Sequence, residues 1–479
     1  MKLKKEHLKT ILLFLLVITS LVQIGIHWYQ QVQGFPFHFV GKILNINDDD
    51  FPSMEVDSVR DRYFVPESIL ISVGPTSPLW KLEQKDPYYI SIWNDIRNNY
   101  IPIMLKEKPT KTIPKEQWPD IISGRCIRID FADDFPRDII FWLEDKKPKD
   151  LKSFNSIKSI AIVPQTDVNE TVNTLFVYDE NQVYQYQIDI KEDFLRKAFY
   201  SKLADELSVK NKPLLYSLTA NTTIFNSQEE ILVALDRGTS KTYSALTVEI
   251  PSSIQLNRSN MESERIQDSI LLNQKKSLMG KYNEPKGEIL FTDTQNLYTL
   301  NADGVLEYRY LPMVDKEAGA ASGAFSQALS FIELRRKLLG DAELALTMIE
   351  KQDYYYEMHF DYRIDGAAVY YSGPDAESRI SAPLIIKANG DRVLECRWVI
   401  RSFHKAEESH RYSLYFINLV EQQIRAQYPE LLENPPQTLS RLREGYVFSL
   451  KEQGDLTKKP HWIISTENKD YFIPLLEED

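Results

Sequence analysis

Residues 287–311, GEILFTDTQNLYTLNADGVLEYRYL, read as three short strands folded back on one another. Apolar, β-branched and aromatic residues gather at 287–291, 297–300 and 305–310, and Asn301-Ala302-Asp303-Gly304 supplies the tight turn before the third run. Working outward, 318–339 carries Phe325, Leu329, Ile332 and Arg336 along one side and stops at Gly340, which predicts a helix. Over 354–364 the chain alternates: Tyr356, Met358, Phe360, Tyr362 and Ile364 face one way, and Glu357, His359, Asp361 and Arg363 the other. That predicts a half-buried strand, turned back by Asp365-Gly366. Asn389-Gly390 joins 384–387 to 393–403 as a second hairpin, 412–427 has helical spacing, and strands at 446–450, 461–465 and 471–475 close the chain. Helix, strands, helix, strands predicts an α+β fold of antiparallel sheets with packed helices.

Upstream the same grammar continues. A strand is expected at 68–73. Asp86 caps a helix with Pro87 in its first turn, and Tyr89, Ile92, Trp93, Ile96 and Tyr100 carry it as far as Pro102. Residues 126–131 alternate as a strand, and Asp133-Asp134-Phe135-Pro136 turns the chain into the apolar run 138–143. A hairpin follows at 174–178 and 183–190, then an amphipathic helix with Phe194, Leu195, Phe199 and Leu203, and strands near 214–218, 230–235 and 243–250. The polar run Lys146-Lys147-Pro148-Lys149-Asp150 and the polar stretch 252–286 divide the chain into domains at 34–150, 151–251 and 287–479, with 252–286 as a linker or covering segment.

Before these domains, 10–29 (TILLFLLVITSLVQIGIHWY) supplies twenty residues, which as a helix reach about 30 Å, the thickness of a bilayer core. Lys2, Lys4, Lys5 and Lys9 precede it and no Lys or Arg follows until Lys42, so residues 1–9 are expected in the cytoplasm and the bulk of the chain outside. Trp28 and Tyr29 then sit as anchors at the outer interface, and Lys4, Lys5 and Lys9 anchor the opposite, cytoplasmic side. A cleaved signal is disfavoured, because the apolar run is long and no Ala occurs in residues 1–50. Thr19 and Gln23 share one helix face, continued by Ile26. A polar side chain there either hydrogen-bonds a neighbouring helix or, for Gln23, reaches water at the interface.

The net charge is −12; the stub holds four Lys against Glu6, so the remainder carries −15, which argues against a nucleic-acid partner. A hydrophobic content of 43% with 22 Phe and 26 Tyr argues against disorder. Cys126 and Cys396 are the only cysteines, neither sits in a CxxC pair, and buried free thiols are expected. The acidic turn at 45–50 lacks the Gly and Glu of a calcium loop. There is no HExxH, GxSxG or P-loop, and Ser240-Lys241 and Ser156-x-Lys158 lack SxxK spacing. His404 and His410 are six apart, not a metal-binding pair, and Tyr354-Tyr355-Tyr356 reads as packing rather than a sugar platform. No catalytic residue, metal or cofactor is expected, and the balance favours a binding or regulatory role.

Taken together, the opening KEHLKTILLFLLVITSLV, the IRIDFADDFPRDIIF stretch, the 287–311 meander and YRIDGAAVYY resemble the YycH family of Gram-positive bacteria, in order over nearly the whole chain. The resemblance implies a non-enzymatic, membrane-anchored regulator of the WalK (YycG) sensor histidine kinase, acting with the single-anchor protein YycI in a two-component system that governs cell-wall metabolism. It also implies partner contacts through the transmembrane helices, which places Thr19, Gln23 and Ile26 at the contact. A ligand outside the membrane is left open. The alternative from another class is an anchored glycan-binding protein or cell-wall hydrolase.

Overall fold

The computed structural model describes residues 62–74, 79–143, 154–164, 172–189, 203, 205–207, 214–218, 226–227, 230–256, 261–271, 279–285, 287–313, 317–372, 382–432, 437–449, 459–466 and 469–478. The expected membrane segment with Thr19, Gln23 and Ile26, its anchors Lys4, Lys5, Lys9, Trp28 and Tyr29, the acidic turn at 45–50 and most of the helix expected near 194–203 lie outside them. Among the described residues no helix is long and apolar enough to cross a membrane.

In chain order the strands are β1 (Ser68–Ser72), β2 (Leu79–Leu82), β3 (Lys111–Pro114), β4 (Cys126–Pro136), β5 (Ser156–Val163), β6 (Val172–Tyr178), β7 (Gln182–Asp189) and β8 (Leu214–Leu218). There follow β9 (Asn226–Ser227), β10 (Ile231–Ala234), β11 (Ser240–Glu249), β12 (Gly280–Asn283), β13 (Ile289–Thr292), β14 (Asn296–Leu300), β15 (Val305–Tyr310) and β16 (Glu343–Lys351). The last are β17 (Tyr356–Ile364), β18 (Ala367–Ser372), β19 (Leu384–Ala388), β20 (Val393–Val399), β21 (Ser402–Ser413), β22 (Thr438–Ser449), β23 (Pro460–Thr466) and β24 (Asp470–Pro474). They build a nine-stranded sheet ordered β10-β8-β2-β1-β4-β5-β6-β7-β3, a thirteen-stranded sheet running from β12 to β24, and the separate pair β11-β21. All belong to the unit Asp57–Asp479.

The α+β class stands, and most predicted strands and hairpins are present. The domain edges do not divide the sheets. β4 pairs with β5 across the edge expected at 150, so residues on both sides share one layer. β11, expected in the second domain, pairs instead with β21 of the third. A Lys/Pro run marks exit to water; it does not determine whether flanking strands hydrogen-bond. The stretch read as a linker contains the helix Met261–Leu271, which buries Ile266, Ile270 and Leu271, and β12. The sheets are also not wholly antiparallel, since β18 runs parallel to β22 in register from Ala368↔Gly445 to Ser372↔Ser449.

Two helices bring the large sheets together. The apolar run after β4 is the helix Arg137–Leu143, which packs on the helix Ala321–Glu333. Ala320 at the N-terminus of the latter has no side chain able to cap it; Asp138 serves instead, its Oδ2 accepting from the Ser322 amide at 2.9 Å. Behind the cap, Trp142 meets Phe325 edge-on at 5.5 Å, and Phe325 stacks toward Phe360 of β17 at 6.3 Å. At the other end the Tyr63 hydroxyl donates to Glu333 Oε1 at 2.6 Å. β16 of the larger sheet also packs directly on β4 of the smaller one, so the sheets meet through strands as well as through this helix pair.

Candidate functional site

Charge concentrates where the flanks of β1 and β2 meet β17, β18, β11 and β22. Arg443 Nη1 lies 2.6 Å from Glu67 Oε1. Lys241 of β11 bridges Glu83 Oε1 at 2.8 Å and Glu444 Oε1 at 3.4 Å. Asp365, held at φ 54° in the β17–β18 turn, takes Lys85 at 2.7 Å and Lys405 at 3.0 Å. Burial raises the Glu444 carboxyl, but Lys81 and Lys241 more than offset it and hold the group at about 2. Burial works in the same sense on Glu67, and Arg443 with Arg363 outweighs it to lower that carboxyl too. Exposed ion pairs contribute little; the Lys241 side chain is 16% exposed and that of Glu444 19%, so this bridge is partly withdrawn from water and loss of one partner is costly.

Beside this seam lies a cavity of about 290 Å³, walled by the helix Pro87–Asp95, Arg62 and Val65, the start of β16 and the end of β17. The helix forms as expected: the Tyr88 amide donates to Asp86 Oδ1 at 3.0 Å, Pro87 occupies the first turn, and Tyr89, Ile92 and Trp93 are buried. Its continuation Ile96–Tyr100 is a wide π turn, directly before Pro102, which has no amide to donate and would crowd the carbonyl four residues back. The wide turn carries Arg97 on the cavity wall. Tyr89 and Trp93 give the wall its aromatic part, Arg62, Arg97 and Arg363 its positive charge, and Glu343 sits at the rim.

Arg363 was expected on the polar outer face of β17. The structure buries it to 8% exposure, because the first sheet's helix covers that face. Nothing in the alternation of 354–364 could show this: it fixes the two faces, not what lies over them. β16, which completes the cavity, has no expectation behind it either. Its register shifts between Leu346 and Met348, so Leu344, Ala345 and Leu346 are all buried and the alternation is lost.

His404 and His410 both lie on the exposed strand β21; His410 Nδ1 is 2.7 Å from Glu477 Oε1. Among the described residues no group of three metal-ligating side chains occurs. Tyr356 is buried, while Tyr354 and Tyr355 pack edge-on at 4.9 Å with Lys387 Nζ 5.4 Å from the Tyr355 ring, which supports packing. Cys126 and Cys396 are free and buried, and burial pushes both thiols up to about 12.

No protein-family model matches the chain, and no curated protein matches it by sequence. An uncharacterized protein from Eubacterium rectale superposes with a TM-score of 0.35 at 13% identity, covering 58% of this chain and 98% of its own. The crystal structure of YycH from Bacillus subtilis superposes with a TM-score of 0.53 at 12% identity, covering 86% of this chain and 96% of that one, so the chain shares the YycH fold.

Proposed function

We propose that the chain is a membrane-anchored regulator in a WalK-type two-component system, with residues 10–29 as the anchor and the bulk of the chain outside the membrane. The observation that carries this reading is the extent of the shared fold, 86% of this chain against 96% of YycH, beside a basic stub and twenty apolar residues. The likeness supports a regulatory role at the level of the fold. The partners, WalK and a YycI-type protein, come from the sequence resemblance. The route also has a physical basis: a coupling of about 1–3 kcal/mol between helix packing and kinase state changes activity several-fold. The polar face Thr19 and Gln23, with Ile26, is the part of the anchor suited to contact another helix.

Replacing Thr19 and Gln23 together with Leu is expected to reduce co-purification of the histidine kinase from membranes. Unchanged recovery with unchanged kinase output would remove the proposed face.

A further inference from the structure

Four arginines of the described chain are buried: Arg128, Arg335, Arg363 and Arg401. Three have acceptors at hand. Arg128 donates to Asp130 at 3.0 Å and pairs with Glu230 at 2.6 Å. Arg335 donates to the carbonyls of Ile270 and Phe331 and to the Tyr298 hydroxyl, at 2.9–3.2 Å. Arg401 donates to the carbonyls of Asp303 and Ile400. Arg363, at 8% exposure, makes no hydrogen bond and no ion pair with any described residue, and it lines the cavity. Glu67, whose carboxyl Arg363 helps to lower, is itself paired with Arg443 at 2.6 Å. The Arg363 nitrogens are not among the fully enclosed unpartnered atoms, so the guanidinium is open to the cavity, where its flat fork matches a carboxylate.

We propose that this cavity binds a small organic carboxylate, its anionic end on Arg363 and its apolar body against Tyr89, Ile90 and Trp93. Arg62 and Arg97 add positive charge to the wall, and Gln84 adds a polar side chain to it. A monoanion fits better than a phosphate dianion, because Glu343 at the rim and Glu67 behind Arg363 reduce the local positive potential. Ile90, 51% exposed on the cavity wall, offers the body an apolar contact that the protein itself does not use. The volume, about 290 Å³, suits a ligand of amino-acid or phenylpropionate size.

The test is calorimetric titration of the full-length chain with 3-phenylpropionate, with 2-phenylethylamine and inorganic phosphate as comparators. Saturable binding of 3-phenylpropionate is expected, with no binding of the amine and weaker binding of phosphate. Arg363→Gln should weaken it at least tenfold, and Arg363→Lys should rescue it only in part, since a point charge lacks the fork. Because Arg363 is buried, two rim changes keep the test open if those variants fail to fold. Ile90→Ala should weaken binding several-fold, and Glu343→Gln should tighten it several-fold. No binding of 3-phenylpropionate at millimolar concentration, equal or tighter binding of the amine or phosphate, or indifference to the Arg363 and rim substitutions would overturn the proposal. The titration involves no kinase, so its outcome is separate from that of the regulatory reading.

Discussion

Glu444 keeps its charge where burial works against it, because Lys81 and Lys241 hold its carboxyl at about 2. A carboxyl lowered on folding contributes stability above its unfolded value near 4.5, lost as the pH falls toward 2. Glu444→Gln should therefore cost about 2 kcal/mol at pH 7 and much less near pH 2, read from urea midpoints across that window. Asp134 has the opposite sign. Burial raises its carboxyl to about 6, although the Ser156 hydroxyl donates to Oδ2 at 2.5 Å, and Glu180, Asp179 and Asp133 add repulsion. A raised carboxyl contributes stability below its unfolded value near 3.8, lost as the pH climbs through 6. Asp134→Asn should consequently be more stable than the parent at pH 7, with the gap closing near pH 4; a pH-independent difference between the two melting curves would contradict this. Neither residue carries a mark in the sequence, since with 69 acidic side chains composition cannot say which pair is buried.

Among elements, the helix Ala321–Glu333 is one joint between the two large sheets, and its cap comes from another part of the chain. Asp138→Ala should cost about 1 kcal/mol of stability, measured as a drop in the urea midpoint, and Asp138→Asn should recover most of it. The helix itself was legible from Phe325, Leu329 and Ile332; its cap, 184 residues away, was not. β17 and the Asp365-Gly366 turn were equally legible, because strict alternation and two residues at positive φ leave few other readings. β16 was lost to its register shift, and the helical character of 137–143 to brevity, since a short apolar run has the same look in either conformation. The cavity was illegible for a related reason: it forms where a helix of the first sheet crosses β16 and β17, and local periodicity does not report which layers meet.

For the whole molecule, the sequence segmented the chain by its polar runs, whereas the strands pair across two of the expected edges. Long-range pairing is set by burial of complementary faces over hundreds of residues, and single-strand patterns hold too little of that information. The shared YycH fold fits, at the level of the fold, the resemblance drawn from the described stretches: 127–141, the 287–311 meander and the β17–β18 hairpin. The central claim, an anchor that transmits by packing against a kinase helix, is tested most directly by crosslinking in intact membranes. Single cysteines would be placed as Thr19→Cys, Gln23→Cys and Ile26→Cys after Cys126 and Cys396 are replaced, which is needed because both native thiols are free. Adducts to a histidine kinase and a second single-anchor protein, recurring with helical periodicity, are the predicted result. An anchor that crosslinks to neither, while the remainder of the chain is retained by purified peptidoglycan, would contradict the account.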